Sequence, residues 1–420
     1  MKPNRLQAST PVLAAALGVL ALAAAIALSA CGGDGAGTVL TPVPSPSPLA
    51  TIDPSLPAYL QTPIADRRLP EGVYALAWAG QGEVTEVRFE PLLDGYEVQV
   101  VATGLSDPAG LAFLPDGRAL VTEQHTGQIR MIENDALRDE PFARIDNVAE
   151  DALELGLLGI AVDPEFDANR WVYVFYVEAG LDGKPVRSVL ARLTERDGFA
   201  FERTELAAFP PVATDVHTGG GLKFGPDGRL YVTIGDMGRQ HLAPDPAEPE
   251  GKILRLNRDG SAPDDNPFAG RADADPRVFA TGFRNLFGIA FHPDLPGRAI
   301  APDNAVGEGD ELNIVEPGGH YGWAGEEGTA PIWQYLNPVG PAGAEVYTSD
   351  RLPRYTGDFF FCQFHHGGVL HRVRFSDDFS RVESDTALAL GCGSTIAQGP
   401  DGWLYFLDRM EGVLYRIAGP

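Results

Sequence analysis

One phrase, an apolar strand, Pro-Asp-Gly and a second apolar strand, recurs along this chain. It stands as LAFLPDGRALVTE over 111–123, LKFGPDGRLYVTIGD over 222–236 and IAQGPDGWLYFLDR over 396–409. Looser copies are LGIAVDPEFDANRWVYVFY from Leu158 and FGIAFHPDLPGRAIAPD from Phe287. Proline presets the φ of the turn's first corner and glycine accepts a positive φ, so each copy reads as a hairpin. One hairpin recurring at intervals of about 50–110 residues points to one copy per blade of a β-propeller. The last interval is roughly twice the others, leaving room for one more blade around 359–375. The expectation is therefore an all-β, six-bladed β-propeller, with five or seven blades as alternatives. Tyr415-Arg416-Ile417 is expected to close the ring by pairing near Tyr96, which removes exposed strand edges.

The segments between copies support this class. Short apolar runs at 96–102, 171–177, 188–193, 252–256, 369–375 and 412–417 read as strands, and long helical periodicity is nearly absent. The 49 glycines and 35 prolines suit a chain that turns often and argue against a helical or α/β-barrel fold.

Before the repeats the chain has another character. Lys2 and Arg5 precede an apolar, alanine-rich stretch that ends Leu28-Ser29-Ala30-Cys31. A basic start, a short apolar core and small residues before a cysteine make a lipoprotein-type signal over residues 1–30, with Cys31 as the lipidated residue. The alternative is a transmembrane anchor. Either reading puts the remainder outside the cytoplasm, at a membrane. Residues 31–57, with the run PVPSPSP, read as a disordered tether, and 58–420 as the propeller. A formal net charge of −26 repels nucleic acid and anionic lipid, so neither is an expected partner. Of three cysteines, Cys362 and Cys392 remain. An even count in an oxidising compartment favours a disulfide, and two unrelated buried thiols are the alternative.

Chemistry-bearing residues lie between the repeats. His217 stands in TDVHTGGG, where three glycines let backbone approach a ligand and a histidine can act as a base near neutral pH. The alternative is a loop histidine satisfied by a carbonyl. Arg284 and Asn285, just before an apolar strand, would put a fork of donors at one face of the ring, or a salt bridge between blades. The loop DNAVGEGDELN over 303–313, with Asp310 and Glu311, leads into GGHYGW with Tyr321. Oxygen donors among glycines suit calcium, with a metal-free turn network as the alternative. There is no zinc-ligand pair at helical spacing, phosphate loop, Gly-x-Ser-x-Gly elbow or dinucleotide fingerprint.

Taken in order, GLLGIAVDPEF, HTGGGLKFGPDGRLYVTIGD, GKILRLNRDGS, GFRNLFGIAFHPD and GDELNIVEPGGHYGW resemble the glucose/sorbosone dehydrogenase family from about Tyr96 onward. The resemblance implies a six-bladed propeller, some of whose members oxidise aldoses with pyrroloquinoline quinone and calcium. It makes His217 the base that takes the sugar's anomeric hydroxyl proton. Arg284 and Asn285 would polarise the quinone, and Glu311 matches a calcium-associated position.

Other positions depart from that pattern. Val216 stands where the family has an aspartate before the histidine, and Glu154 replaces a glutamine or asparagine. His366 takes the place of a lysine, and Cys392 and Ser394 those of two arginines. Each charge-assisted hydrogen bond to a cofactor carboxylate contributes about 1.5–3 kcal/mol. Losing three would cancel roughly the 8 kcal/mol of a micromolar affinity, unless Arg351, Arg354, Arg372 or His365 substitutes. The sequence thus leaves three functions open: a quinone-dependent sugar dehydrogenase, a calcium-stabilised propeller that binds carbohydrate or protein, and a calcium-dependent hydrolase.

Overall fold

A computed structural model of the chain describes residues 72–419, apart from 79–83, 94, 151, 306–308, 326 and 366. The expected signal, the tether, Cys31 and His366 lie outside the described residues. Strands dominate, and the α-helical element Phe166–Asn169 is a single turn. Among the described residues the strands form six antiparallel sheets of four or five strands each, consistent with a β-propeller. The sheet expected in the long interval is present, built from Pro341–Val346, Phe359–Gln363, Val369–Phe375 and Val382–Leu390.

The Pro-Asp-Gly turns form as read. In the first, Gly117 has φ 94° and donates to the carbonyl of Leu114, and the second and third repeat this through Gly228 and Gly402. The last sheet closes across the chain: Val413–Ala418 pairs antiparallel with Glu97–Thr103, Tyr415 opposite Val100 and Arg416 opposite Gln99. The repeats do not announce a further hairpin, Val73–Trp78 with Val84–Arg88, which extends the sheet holding Ala299–Asp303 and Glu311–Val315.

Innermost strands touch backbone to backbone. A Cβ on Gly110 would lie 2.6 Å from the Leu158 carbonyl, and one on Gly221 2.9 Å from the Phe287 carbonyl. The same contact continues from Gly288 to Gly343 and from Gly343 to Thr395. Glycine is required there because only a hydrogen leaves room for the neighbouring strand. Between the sheets lie apolar clusters, such as Phe175, Leu190, Val232, Leu254 and Val278, all fully buried. The first residues of the inner strands surround a cavity of about 220 Å³, whose wall includes Leu158, Gly220, Phe287 and Ile396.

Candidate active site

His217 immediately precedes the inner strand Gly219–Phe224 and adopts left-handed backbone, φ 65°. That conformation turns its ring back over the hairpin. The hairpin pairs Gly219 with Ile234, and the same register carried two residues further sets 217 opposite 236. Asp236 Oδ1 there lies 2.7 Å from His217 Nδ1. The other oxygen of Asp236 accepts the indole N–H of Trp323 at 2.8 Å, and the Gly238 N–H also donates to Oδ1 at 2.9 Å. Burial opposes ionisation of Asp236, but these hydrogen bonds, led by that from His217, outweigh it and hold the carboxyl below its usual range. An ionised Asp236 fixes the proton of a neutral His217 on Nδ1 and leaves the Nε2 lone pair for a substrate proton. Nε2 has no hydrogen-bond partner among the described residues. The family's aspartate before the histidine is thus absent, and this acid comes from the other strand of the same hairpin.

Arg284 and Asn285 are held from below. The carboxylate of Asp303, at the end of Ala299–Asp303, accepts the backbone N–H of Arg284 at 2.9 Å and that of Asn285 at 2.7 Å. Arg284 Nη1 donates to the Asn304 carbonyl at 2.7 Å, and its guanidinium lies 5.6 Å over the Trp323 ring. Its Nε is buried with no partner among the described residues. Asn285 is turned differently from the expectation of a quinone contact. Its Nδ2 donates to Glu154 at 3.0 Å and its Oδ1 accepts from Gly219 N–H at 3.3 Å, so the amide braces three loops. Glu154 Oε2 also accepts the backbone N–H of His217. The substitution of Glu154 for an amide therefore has a local role: it ties the histidine loop to Asn285. His217, Glu154 and Asn285 thus come together, with Arg284 adjacent to Asn285.

The calcium ligands do not assemble as expected. Both oxygens of Asp310 are committed to backbone N–H groups, those of Ala305, Val339 and Gly340, each at 2.8 Å. The Tyr321 hydroxyl donates to the Ile314 carbonyl and accepts from Glu316 N–H, so it pins a turn. Glu311 accepts a long 3.3 Å bond from Asn313. Among the described residues no group of three or more His, Cys, Asp or Glu stands at metal-holding spacing. Burial, with the Asp303 and Asp310 charges beside it, pushes the Glu311 carboxyl up to about 8. Asp303 rises to about 6 because burial outweighs its two backbone hydrogen bonds.

Cys362 and Cys392 are joined in a disulfide with their Cα atoms 4.9 Å apart. Position 392 therefore carries no cation, and Ser394 lines the cavity. Of the substitutes considered, His365 also lines it. Arg351 instead reaches the Asp401 carbonyl in the last Pro-Asp-Gly turn, and Arg372 pairs with Asp358. The cavity wall holds a cation that the sequence reading passed over, Arg409, at the end of the last hairpin. Asp236, Asp303 and Trp323 were also missed. The hairpin register was the available signal for Asp236, whereas Arg409 had none.

A family model described as Glucose / Sorbosone dehydrogenase matches residues 105–416. The chain is 30% identical over 384 residues to an uncharacterized protein of Synechocystis, covering 80% of this chain and 88% of that one. It is 28% identical over 349 residues to an aldose sugar dehydrogenase of Escherichia coli, covering 76% and 92%. The solved pyrroloquinoline-quinone-bound aldose sugar dehydrogenase of Streptomyces coelicolor superposes with a TM-score of 0.64 at 25% identity, over 77% of this chain and 98% of that one.

Proposed function

Because the chain belongs to the glucose/sorbosone dehydrogenase family, we propose that it is a sugar dehydrogenase: a six-bladed propeller that oxidises the anomeric carbon of an aldose. The observation that carries this reading is the buried Asp236 carboxylate on His217 Nδ1, with Nε2 left without a partner among the described residues. Such a pair can take a hydroxyl proton as a general base. The anomeric hydroxyl gives its proton to His217 Nε2 while the C1 hydrogen leaves with its electron pair, and the aldose becomes a lactone.

Pyrroloquinoline quinone, when bound, supplies the two-electron acceptor for that hydrogen. The donor set fits its carbonyl end, since the unpartnered Arg284 Nε is a fixed positive donor where negative charge develops. Asn285 and Glu154 hold the histidine loop in place. The glycine-lined wall beside Glu154 leaves room for a flat ligand. Asp310, Glu311 and Tyr321 do not form a calcium cage, so no role is assigned to calcium through them.

The proposal places this activity outside the cytoplasm, on a lipid anchor at Cys31. A second reading, a propeller that binds sugar without redox chemistry, draws on the cations missing at Cys392 and Ser394. Dye reduction by the purified propeller with added quinone over a panel of aldoses separates the two. Turnover abolished by His217→Ala, with the melting transition retained, supports the dehydrogenase. Sugar binding without turnover supports the second reading.

A further inference from the structure

We propose that the channel wall at Arg409 is a subsite for a ligand carboxylate, with Arg409 as its cation and Ser394 and Gln124 beside it. Arg409 follows the strand Leu404–Asp408 and lines the same cavity as Glu154 and Gly219. Its Nε is held by Asp107 Oδ1 at 2.6 Å and its guanidinium lies 5.7 Å over the Phe364 ring. Among the described residues neither terminal nitrogen has an acceptor, so two donors of the fork remain for a planar anion.

Asp107 does not neutralise this wall by itself. His125 Nδ1 sits on its second oxygen, and His125 Nε2 is bonded to the Ala152 carbonyl at 2.9 Å. One carboxylate thus carries two basic side chains and holds Arg409 in place. With His125 protonated, the trio is net positive in a chain of formal charge −26.

Two further polar atoms at this wall are buried without partners among the described residues, Ser394 Oγ and Gln124 Oε1. Gln124 is 1% exposed, and its Nε2 donates to the Leu153 and Leu155 carbonyls at 2.9 and 2.6 Å, which fixes Oε1 as the unused acceptor. Leaving such atoms unpaired is costly unless a ligand pairs them. Ser394 can donate to the same carboxylate as Arg409, and Gln124 can accept from an N–H or O–H on the ligand. Gly393 brings the two segments together, since a Cβ there would touch Arg409 Cβ at 3.6 Å. The matching ligand is a carboxylate with a neighbouring N–H or O–H. Both a quinone tricarboxylate and a uronic acid have that chemistry. The quinone source rests on the dehydrogenase reading, and the uronate source does not.

The test is calorimetric titration of the native chain, Arg409→Gln, Arg409→Lys and the double variant Asp107→Asn, Arg409→Gln. The probes are pyrroloquinoline quinone, D-galacturonate and, as the neutral control, D-galactose. Arg409→Gln is expected to weaken a carboxylate ligand about tenfold or more, while any galactose affinity stays unchanged. Arg409→Lys should fall between. The double variant should stay weak, which rules out repulsion by a bared Asp107 as the cause. Native binding of both acids that is unchanged in Arg409→Gln overturns the subsite and leaves the dehydrogenase intact. Arg409-dependent binding of galacturonate alone upholds the subsite and removes the quinone. If the native chain binds neither acid, the subsite is overturned.

Discussion

Asp236 Oδ1 and His217 Nδ1 face each other at 2.7 Å across the two strands of one hairpin. Replacing Asp236 by asparagine presents an amide donor to Nδ1 and moves the ring proton to Nε2, where it blocks proton uptake. Turnover of Asp236→Asn should fall about 10²-fold or more, with KM for the sugar little changed. Steady-state dye reduction measures this, and native turnover in the variant would remove His217 from its role as base.

Trp323 acts through the same carboxylate, so its indole can be separated from its ring. Trp323→Phe keeps an aromatic surface near Arg284 but leaves Asp236 Oδ2 without its donor. Stability should drop by about 1–3 kcal/mol in urea unfolding. The acid limb of the turnover profile should also move to higher pH as Asp236 becomes easier to protonate. A stability loss with an unmoved profile would make Trp323 a packing residue only.

Glu311 and Asp303 make stability depend on pH in the direction opposite to most carboxylates. Their carboxyls, pushed up to about 8 and about 6, favour the protonated form in the folded chain. That contribution is whole below about pH 4, the ordinary carboxylate value, and is lost as pH rises through 6 and then 8. The melting temperature in EDTA should therefore fall between pH 5 and pH 8.5. Glu311→Gln should flatten the upper part of that slope, and an unchanged slope would show that Glu311 does not titrate there.

The Cys362–Cys392 bridge closes a loop with sequence separation 30, next to the cavity wall. Replacing both cysteines by alanine should cost about 3 kcal/mol, chiefly through the freed unfolded chain. Denaturant titration of the variant against the native chain reads it directly. Equal midpoints would mean that the bridge contributes geometry alone.

Gly221 tests the backbone contact between inner strands. A methyl group there meets the Phe287 carbonyl at 2.9 Å and the Thr233 hydroxyl at the same distance. Gly221→Ala should destabilise by about 1–3 kcal/mol through overpacking, with the melting temperature as readout. A tolerated alanine would show that the strands can part.

Hairpins were legible because their signal is local: Pro-Asp-Gly fixes a turn within four residues, and apolar runs mark the strands beside it. The strand Lys252–Leu256 begins and ends where its sequence suggests. The Val73–Arg88 hairpin was not legible, since its partner Trp333–Tyr335 is far away in the chain and only tertiary pairing selects it. Glu154, His217 and Arg284 could be grouped in one site because the resemblance to the glucose/sorbosone dehydrogenase family groups them. Their partners could not. Asp303 acts through its oxygens on two backbone N–H groups, and Arg409 gains meaning only when the ring brings it beside Asp107. The backbone partners of Asp310 and Tyr321 were illegible for the same reason, since they lie on other segments or depend on the fold of a turn.

The pairing of Val413–Ala418 with Glu97–Thr103 sets an order of events in synthesis. More than three hundred residues separate the two halves of that sheet, and the second half is made long after the first. While residues near 418 are still inside a ribosome or an export channel, the first strand of the ring has no partner and two sheet edges stand open. Sealing the propeller therefore waits until the strand Val413–Ala418 is free to pair. The same strand is where termination would do the most harm, because a chain stopping before Val413 would keep every site residue named above and still be unable to shut.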